Sequence, residues 1–288
     1  MEVSTGCVAF ITGAGGGLGA GIARVLAAEG VALALADLQP ELLKARQREF
    51  DRAGVRCRTW VLDVSDRQHW RDVVQDVESN FGAVSILVNN AGVGYVGAPA
   101  DAVPATDYDW VMGVNVMGVV NGVLAFVPAM RARGRAGHVI NVASIDGVLP
   151  EPHLHHAPYC ASKAAVVAFS QALRNDLRPA GIGVSVVCPG LVRSALPESS
   201  RLRPARFGGA YVRQGGDAFR DEMTRSGMPP ERAGRVVLEA IRQNRGMAFT
   251  HPTDCERVRA YFASEYEEAF EWSRRTAESL DRQESGNA

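Results

Sequence analysis

Hydrophobic positions along the chain fall into two alternating rhythms. Short, almost continuously apolar runs occur at 7–12, 31–36, 56–62, 84–88, 138–142 and 184–188. Runs of this length without polar alternation predict parallel strands covered on both faces. Between them, apolar residues recur at helical spacing over 18–29, 41–53, 67–80, 107–133 and 161–178. Strict alternation of strand and helix implies an α/β fold. It is a single Rossmann-type doubly wound parallel sheet of about seven strands, with helices on both faces and right-handed crossovers. The short connections mark no internal boundary, so 1–288 is expected to be one domain. The rhythm breaks after Cys188. The stretch 191–228 is rich in Gly, Pro and Arg and is expected to be a surface excursion, a candidate substrate loop or lid. A helix over 231–243, a short strand over 247–250 and a charged amphipathic helix over 254–276 follow. The last makes 251–288 a C-terminal helical extension, with a frayed polar tail from Ala277.

Charge and composition narrow the function classes. The 288 residues include 31 Lys and Arg against 32 Asp and Glu, a formal net charge of −1, with 47% hydrophobic residues. That balance excludes charge-driven disorder and offers no basic field for nucleic acid. The longest apolar stretch, 111–130, is interrupted by Asn115, Asn121 and Pro128, and reads as a buried helix rather than a membrane span. The opening residues carry Glu2 and no cationic segment, unlike a signal peptide. Cys7, Cys57, Cys160, Cys188 and Cys255 are scattered without CxxC spacing, which fits free thiols in a reducing cytoplasm.

The 30 glycines form no repeat, so their positions carry the information. Thr12-Gly13-Ala14-Gly15-Gly16-Gly17-Leu18-Gly19 ends one predicted strand and opens a helix. Glycines there allow a tight turn whose N–H groups, with the helix N-terminus, favour a pyrophosphate. Asp37 stands at the end of the next strand, where its carboxylate can accept hydrogen bonds from ribose hydroxyls and repel a 2′-phosphate. Gly15, Gly16 and Leu38 supply no cation to offset that repulsion. NAD is the expected cofactor and NADP the alternative; the plainer reading of Asp37 is a turn or helix cap. Asp63-Val64 follows the third strand, where a carboxylate can meet an adenine amino group. Asn89-Asn90-Ala91-Gly92 follows the fourth, with small residues that let the chain pass close to a cofactor.

Ser144 lies just past the fifth strand, and Tyr159 and Lys163 sit four residues apart, on one helix face. Such a pair alone is usually a solvated face; at the C-terminal edge of a nucleotide-binding sheet it has chemical meaning. A free tyrosine with a pKa of about 10 is a poor base at neutral pH. A nearby ammonium and a positive nicotinamide would both favour the phenolate. Ser144 can hydrogen-bond a substrate oxygen, and Asn115 can hold a water linking Lys163 to solvent.

Taken in order, Thr12-Gly13-xxx-Gly17-x-Gly19, Asp37, Asp63, Asn89-Asn90-Ala91-Gly92, Asn115, Ser144, Tyr159-xxx-Lys163 and Pro189-Gly190 resemble the short-chain dehydrogenase/reductase family, to about Thr250. The resemblance implies an NAD-dependent oxidoreductase acting on a secondary alcohol or ketone, with an Asn115/Ser144/Tyr159/Lys163 tetrad. Tyr159 would be the general acid/base and Lys163 would lower its pKa and bind the nicotinamide ribose. Pro189, Gly190, Val192 and Ser194 would border the nicotinamide. It also implies a homodimer or homotetramer. Two departures lie on the substrate side: the segment from Ser144 to Tyr159 is longer than usual, and so is the chain after Thr250. A narrower resemblance, carried by 128–134, 203–207 and Thr250-His251, is to the Cα-dehydrogenases of lignin aryl-ether breakdown, which oxidise benzylic secondary alcohols with NAD. Secondary-metabolite and steroid-type alcohols stand beside that class. An NADPH-dependent ketoreductase and a non-catalytic NAD(H)-binding regulator on the same fold are the alternatives in function.

Candidates for the substrate side are Tyr95, Ile145, Leu154, His155, Leu191 and Leu196. His153, His155 and His156 form the one histidine cluster, read as a solvated loop or a pocket wall; without further spaced ligands no metal is expected. Arg201, Arg203, Arg206 and Arg213 read as solvated loop charges or as an anion-attracting lid.

Overall fold

Among the described residues, seven strands, all parallel, run in the order β3-β2-β1-β4-β5-β6-β7. They are β1 (Val8–Thr12), β2 (Ala32–Asp37), β3 (Cys57–Val61), β4 (Ile86–Asn89), β5 (Gly137–Val142), β6 (Ile182–Cys188) and β7 (Met247–Phe249). The computed structural model describes residues 1–151, 154–212 and 216–286; His153 and Arg213 lie outside them. Contacts divide the chain into Met1–Thr250 and His251–Ala288. The sheet and every predicted site residue belong to the first unit.

The interior strand β1 explains the continuous apolar runs. Every residue of Val8–Thr12 is buried, because helices cover both faces. Ala9 and Ile11 pack with α1 (Gly17–Ala28), α2 (Pro40–Arg52) and α8 (Pro230–Arg242) residues such as Ile22, Phe50 and Val237. Phe10 points the other way, into an aromatic nest with Trp60, Trp70 and Phe126, its ring 4.6 Å from that of Phe126. That face is closed by α3 (Arg67–Asn80), α5 (Gly118–Ala132) and α6 (Ala157–Leu177).

Four boundaries differ from the sequence expectation. The single helix expected over 107–133 is α4 (Ala105–Met112), a wider π-type turn at Gly113–Met117 that carries Asn115, and α5. By length and composition Ala105–Ala132 could cross a bilayer, but 56% of its most apolar window is buried inside the fold. Helix α6 starts at Ala157, four residues earlier than expected. Pro158 takes its first turn, where a missing N–H costs nothing, and this brings Tyr159 into the helix. The excursion after β6 is partly ordered: 3₁₀ turns at Leu196–Leu202 and Ala205–Phe207 precede α7 (Gly216–Ser226), and a parallel bridge between Val192 and Met228 closes its base. In the second unit α9 runs over Pro252–Gly286, so the tail expected to fray from Ala277 is helical. Phe262 stacks on Tyr266 along it, with ring centroids 4.8 Å apart.

A buried polar chain fixes the height of α6 over the sheet. Asn89 Nδ2 donates to Asn141 Oδ1 at 2.9 Å, Asn141 Nδ2 donates to Ser170 Oγ at 2.9 Å, and Ser170 Oγ donates to the Val166 carbonyl at 2.6 Å. It crosses from β4 through β5 to the helix that carries Tyr159 and Lys163. Asn141→Ala should strand the Asn89 amide and leave a cavity, lowering stability by about 2–4 kcal/mol, measured as a lower urea midpoint.

Candidate active site

Parallel strands bring their C-terminal ends to one edge, and the chain reverses order between β1 and β4, the place where a crevice forms in such sheets. A cavity of about 270 Å³ lies there. Its wall includes Gly13, Gly16, Gly17 and Leu18 from the turn after β1, Asp37 and Leu38 after β2, and Asp63 and Val64 after β3. Asn90, Ala91 and Gly92 follow from β4, Ser144 from β5, Tyr159 and Lys163 from α6, and Pro189, Gly190, Val192, Ser194 and Leu196 from β6 and beyond. Residues spread over 184 positions of sequence thus share one cavity.

The turn after β1 is built for close approach. Gly13 has φ +63°, and a Cβ there would lie 2.8 Å from the Ala91 Cα. Asn90 Nδ2 donates to the Thr12 and Gly13 carbonyls at 2.9 and 3.1 Å. Thr12 Oγ1 accepts from the N–H groups of Asn90 and Ala91, each at 3.0 Å. Gly15 stands behind the wall and donates its N–H to Asp37 Oδ2 at 2.9 Å, while Gln39 N–H donates to Asp37 Oδ1 at 2.9 Å. Burial raises the Asp37 pKa against the pull of these donors. Backbone N–H groups, not a cation, support this carboxylate. Gly19 packs its Cα against the Gly13 carbonyl.

At Asp63, burial works to raise the carboxyl pKa. Hydrogen bonds from Ser65 and the Arg206 guanidinium outweigh burial and hold the group below its usual value. Arg206 reaches Asp63 Oδ2 at 2.7 Å across 143 residues of sequence. Arg206, read as a solvated loop charge or part of an anion-attracting lid, is therefore a half-exposed ion-pair partner of a cavity-lining carboxylate. The Arg203 side chain, by contrast, is almost wholly covered, 2.6 Å from Asp107.

At the other end stand Ser144, Tyr159 and Lys163. Ser144 hydrogen-bonds the Tyr159 hydroxyl. Lys163 Nζ lies 5.6 Å from the Tyr159 ring centroid and donates to the Val142 carbonyl at 3.1 Å. In this chain by itself, burial pushes the Tyr159 phenol well above its ordinary range and pushes Lys163 down to about 8. For Tyr159 the Ser144 hydrogen bond is the influence that favours the phenolate, and burial outweighs it. Asn115 is fully buried and does not line the cavity. Its Oδ1 accepts from Val93 N–H at 2.8 Å, and its Nδ2 donates to the Val93 carbonyl and Ser162 Oγ, each at 3.0 Å.

Most substrate-side expectations shift. Leu196 lines the cavity. Leu154 and His155 are exposed and point away, because the His155 carbonyl is held by Gly97 N–H and the chain turns outward. The histidine that turns inward is His156, 4% exposed. Tyr95 is buried beside the wall with Val93, Trp110 and Val111, and its hydroxyl is held by Asp107. Ile145 and Leu191 lie behind the wall, with Ile145 N–H donating to the Pro189 carbonyl and the Leu191 carbonyl accepting from Met228 N–H. Sequence reasoning missed Trp110, Val114, Ser199, Leu202 and Met223, which line the cavity. Their apolar or small side chains carry no signal until the loop folds back.

A family model described as short chain dehydrogenase matches residues 7–204. The C alpha-dehydrogenase of Sphingobium sp. strain SYK-6 is 34% identical over 258 residues, covering 88% of this chain and 84% of that protein. The crystal structure of a short chain dehydrogenase/reductase from Burkholderia phymatum in complex with NAD is similar at a TM-score of 0.84 and 34% identity, over 93% of this chain and 97% of that one. A metagenomic short-chain oxidoreductase in complex with NADP is similar at a TM-score of 0.67 and 29% identity, over 85% and 96%.

The Thr12 hydroxyl offers a direct test of how the crevice is held. Thr12→Val preserves shape but leaves the Asn90 and Ala91 N–H groups without their acceptor. It should cost about 1–3 kcal/mol, read from urea denaturation with an unchanged m-value.

Proposed function

The chain belongs to the short-chain dehydrogenase family, and from that premise we propose that it oxidises a secondary alcohol to a ketone, reversibly, with NAD. The observation that carries this reading is the meeting of Ser144, Tyr159 and Lys163 in one cavity with Asp37 and the glycine turn. The residues fit the cofactor. Gly13, Gly16 and Gly17 would leave room for a pyrophosphate at the N-terminus of α1, and Asp37 would present a carboxylate to the ribose. Pro189, Gly190, Val192 and Ser194 would border the nicotinamide end beside Lys163. Bound NAD supplies the acceptor for the hydride that leaves the carbinol carbon.

The chain's own residues handle the proton. Ser144 orients the substrate oxygen toward Tyr159, whose phenolate takes the hydroxyl proton during oxidation and whose phenol returns it during reduction. Lys163, with a pKa of about 8, is charged through neutral pH and favours the phenolate. Burial works against it, so the oxidation rate should rise with pH as the phenol titrates. Asn115 positions Val93 and Ser162 beneath the site, and so supports the helix that carries Tyr159. Tyr159→Phe should lower kcat by about 10²–10⁴-fold while leaving NAD affinity within about threefold, a difference near the lower limit that one lost contact produces. Steady-state kinetics and NAD titration check both.

Asp37 is the ground for NAD over NADP. Its carboxylate, supported by Gly15 and Gln39 N–H groups, would meet a 2′-phosphate with like charge. The wild type should have the higher kcat/KM with NAD. Asp37→Ser should raise kcat/KM for NADP by at least about tenfold, since removing like-charge repulsion is worth more than about 1.4 kcal/mol. Higher efficiency of the wild type with NADP would favour a ketoreductase working in the other direction.

Val93, Trp110, Val114, Leu196, Leu202 and Met223 make the remaining wall largely apolar, which suits an uncharged, hydrophobic alcohol. The similarity to the Sphingobium C alpha-dehydrogenase favours a benzylic one. Leu124 on α5 is 62% exposed, and burial of that helix face in a homodimer or homotetramer would cover it. The five free cysteines suit the cytoplasm.

A further inference from the structure

Directly behind Ser144 lies an acid–base pair, a buried histidine with a partly exposed carboxylate, that the reaction as described does not use. A short 3₁₀ turn, Ile145–Gly147, carries Asp146. The turn is pinned: a Cβ on Gly147 would lie 2.6 Å from the Lys163 carbonyl carbon, so the turn rests directly on α6. Ser144 Oγ donates to Asp146 Oδ2 at 3.2 Å, and Asp146 N–H donates back to Ser144 Oγ at 3.2 Å. On the far side of the carboxylate, His156 Nε2 lies 3.6 Å from Asp146 Oδ1. His156 is 4% exposed, and its Nδ1 is 2.7 Å from the Leu154 carbonyl. Among the described residues its Nε2 has no acceptor within hydrogen-bonding distance.

A serine hydroxyl has one proton to give. In this arrangement the Asp146 carboxylate competes for it with the Tyr159 hydroxyl, which Ser144 also hydrogen-bonds, whereas a reacting substrate oxygen needs it. A bare carboxylate would hold that proton with a charge-assisted bond, stronger than a neutral one. The geometry points to the His156–Asp146 pair as a positioning device that sets how readily Ser144 turns its proton from Asp146 to the substrate oxygen. His156 draws charge out of the Asp146 carboxylate and loosens its hold on Ser144. It also screens Tyr159 from Asp146, the carboxylate that faces it. The other titratable groups are Cys160, facing both His156 and Tyr159, and Lys163, facing Tyr159 and itself flanked by Asp146 and Cys188. The nearby Asp146 carboxylate, with help from Cys160 and the Leu154 carbonyl, raises the His156 pKa to about 10. The imidazolium is therefore the neutral-pH form, and it is lost as pH rises through that value.

This role rests on the dehydrogenase reading, and the test separates the two. Kinetics would use NAD and the secondary alcohol on which the wild type turns over fastest. His156→Asn should lower kcat about tenfold, leave KM for NAD unchanged, and move the half-maximal pH of oxidation upward. Adding Asp146→Asn removes the uncompensated carboxylate and should restore kcat to within about threefold of wild type, with the pH profile returning. A purely structural histidine would not be rescued in this way. Unchanged kcat and pH profile in His156→Asn, or no recovery in the double variant, would overturn the proposal. Nitrogen-15 NMR of the imidazole tests the pair without turnover: His156 should be charged at pH 7.5 in the wild type and lose that charge in Asp146→Asn. A neutral ring in the wild type also overturns it. Absence of turnover on every secondary alcohol would instead defeat the dehydrogenase reading and leave the NMR result to decide the pair.

Discussion

Where β1 and β4 part company at the edge of the sheet, one hydroxyl receives two backbone N–H groups. Thr12 Oγ1 accepts from both Asn90 and Ala91, and Asn90 answers with its amide on the Thr12 and Gly13 carbonyls. The loop so held runs through Gly92 to Val93, whose N–H and carbonyl are both taken by Asn115. Asn115 passes the constraint to Ser162, and Ser162 Oγ closes on the Tyr159 carbonyl at 2.7 Å. A continuous polar path therefore links the turn that would face a pyrophosphate to the first turn of the helix that carries the tyrosine. Buried polar networks of this kind are costly when any member is missing, so the two ends of the crevice are held in one register.

Desolvation is the other constraint. The groups that matter chemically are deep in the fold, and burial acts on each in the direction that removes charge. Tyr159 and Asp37 are pushed up and Lys163 is pushed down. Asp63 escapes because Ser65 and Arg206 supply hydrogen bonds and charge. His156 escapes because Asp146 does. A site poised this way responds to a cation placed within it more strongly than it would in bulk water, since the effective dielectric of the crevice is lower. The same argument makes the pair behind Ser144 consequential: a single carboxylate there would bias both the serine proton and the phenol.

The loop after β6 shows how tertiary contacts recruit side chains that sequence leaves anonymous. Arg203 and Arg206 belong to a run of loop arginines whose ordinary fate is solvent. In the fold one is buried against Asp107 and the other reaches Asp63. Trp110, Leu202 and Met223, from three separate segments, become neighbours on one wall. Local pattern carries no information about such meetings, because they depend on where the loop returns to the body of the protein.

The amino-acid sequence alone determined the strand order's raw material and the chemistry at the strand ends. Apolar runs without alternation can be satisfied only by burial on both faces. Once the sheet is parallel, residues just after each strand must share an edge. That is why Gly13, Asp37, Asp63, Asn90 and Ser144 could be named from their positions, and Tyr159 and Lys163 from their spacing on the helix that follows. Tertiary structure decided what had no local period or local cause. The π-type turn at Asn115, the outward path of Leu154 and His155, and the inward path of His156 follow from packing between elements distant in sequence. So does the protonation of the site, because a pKa is set by burial and by neighbours in space, and neither exists until the chain has folded.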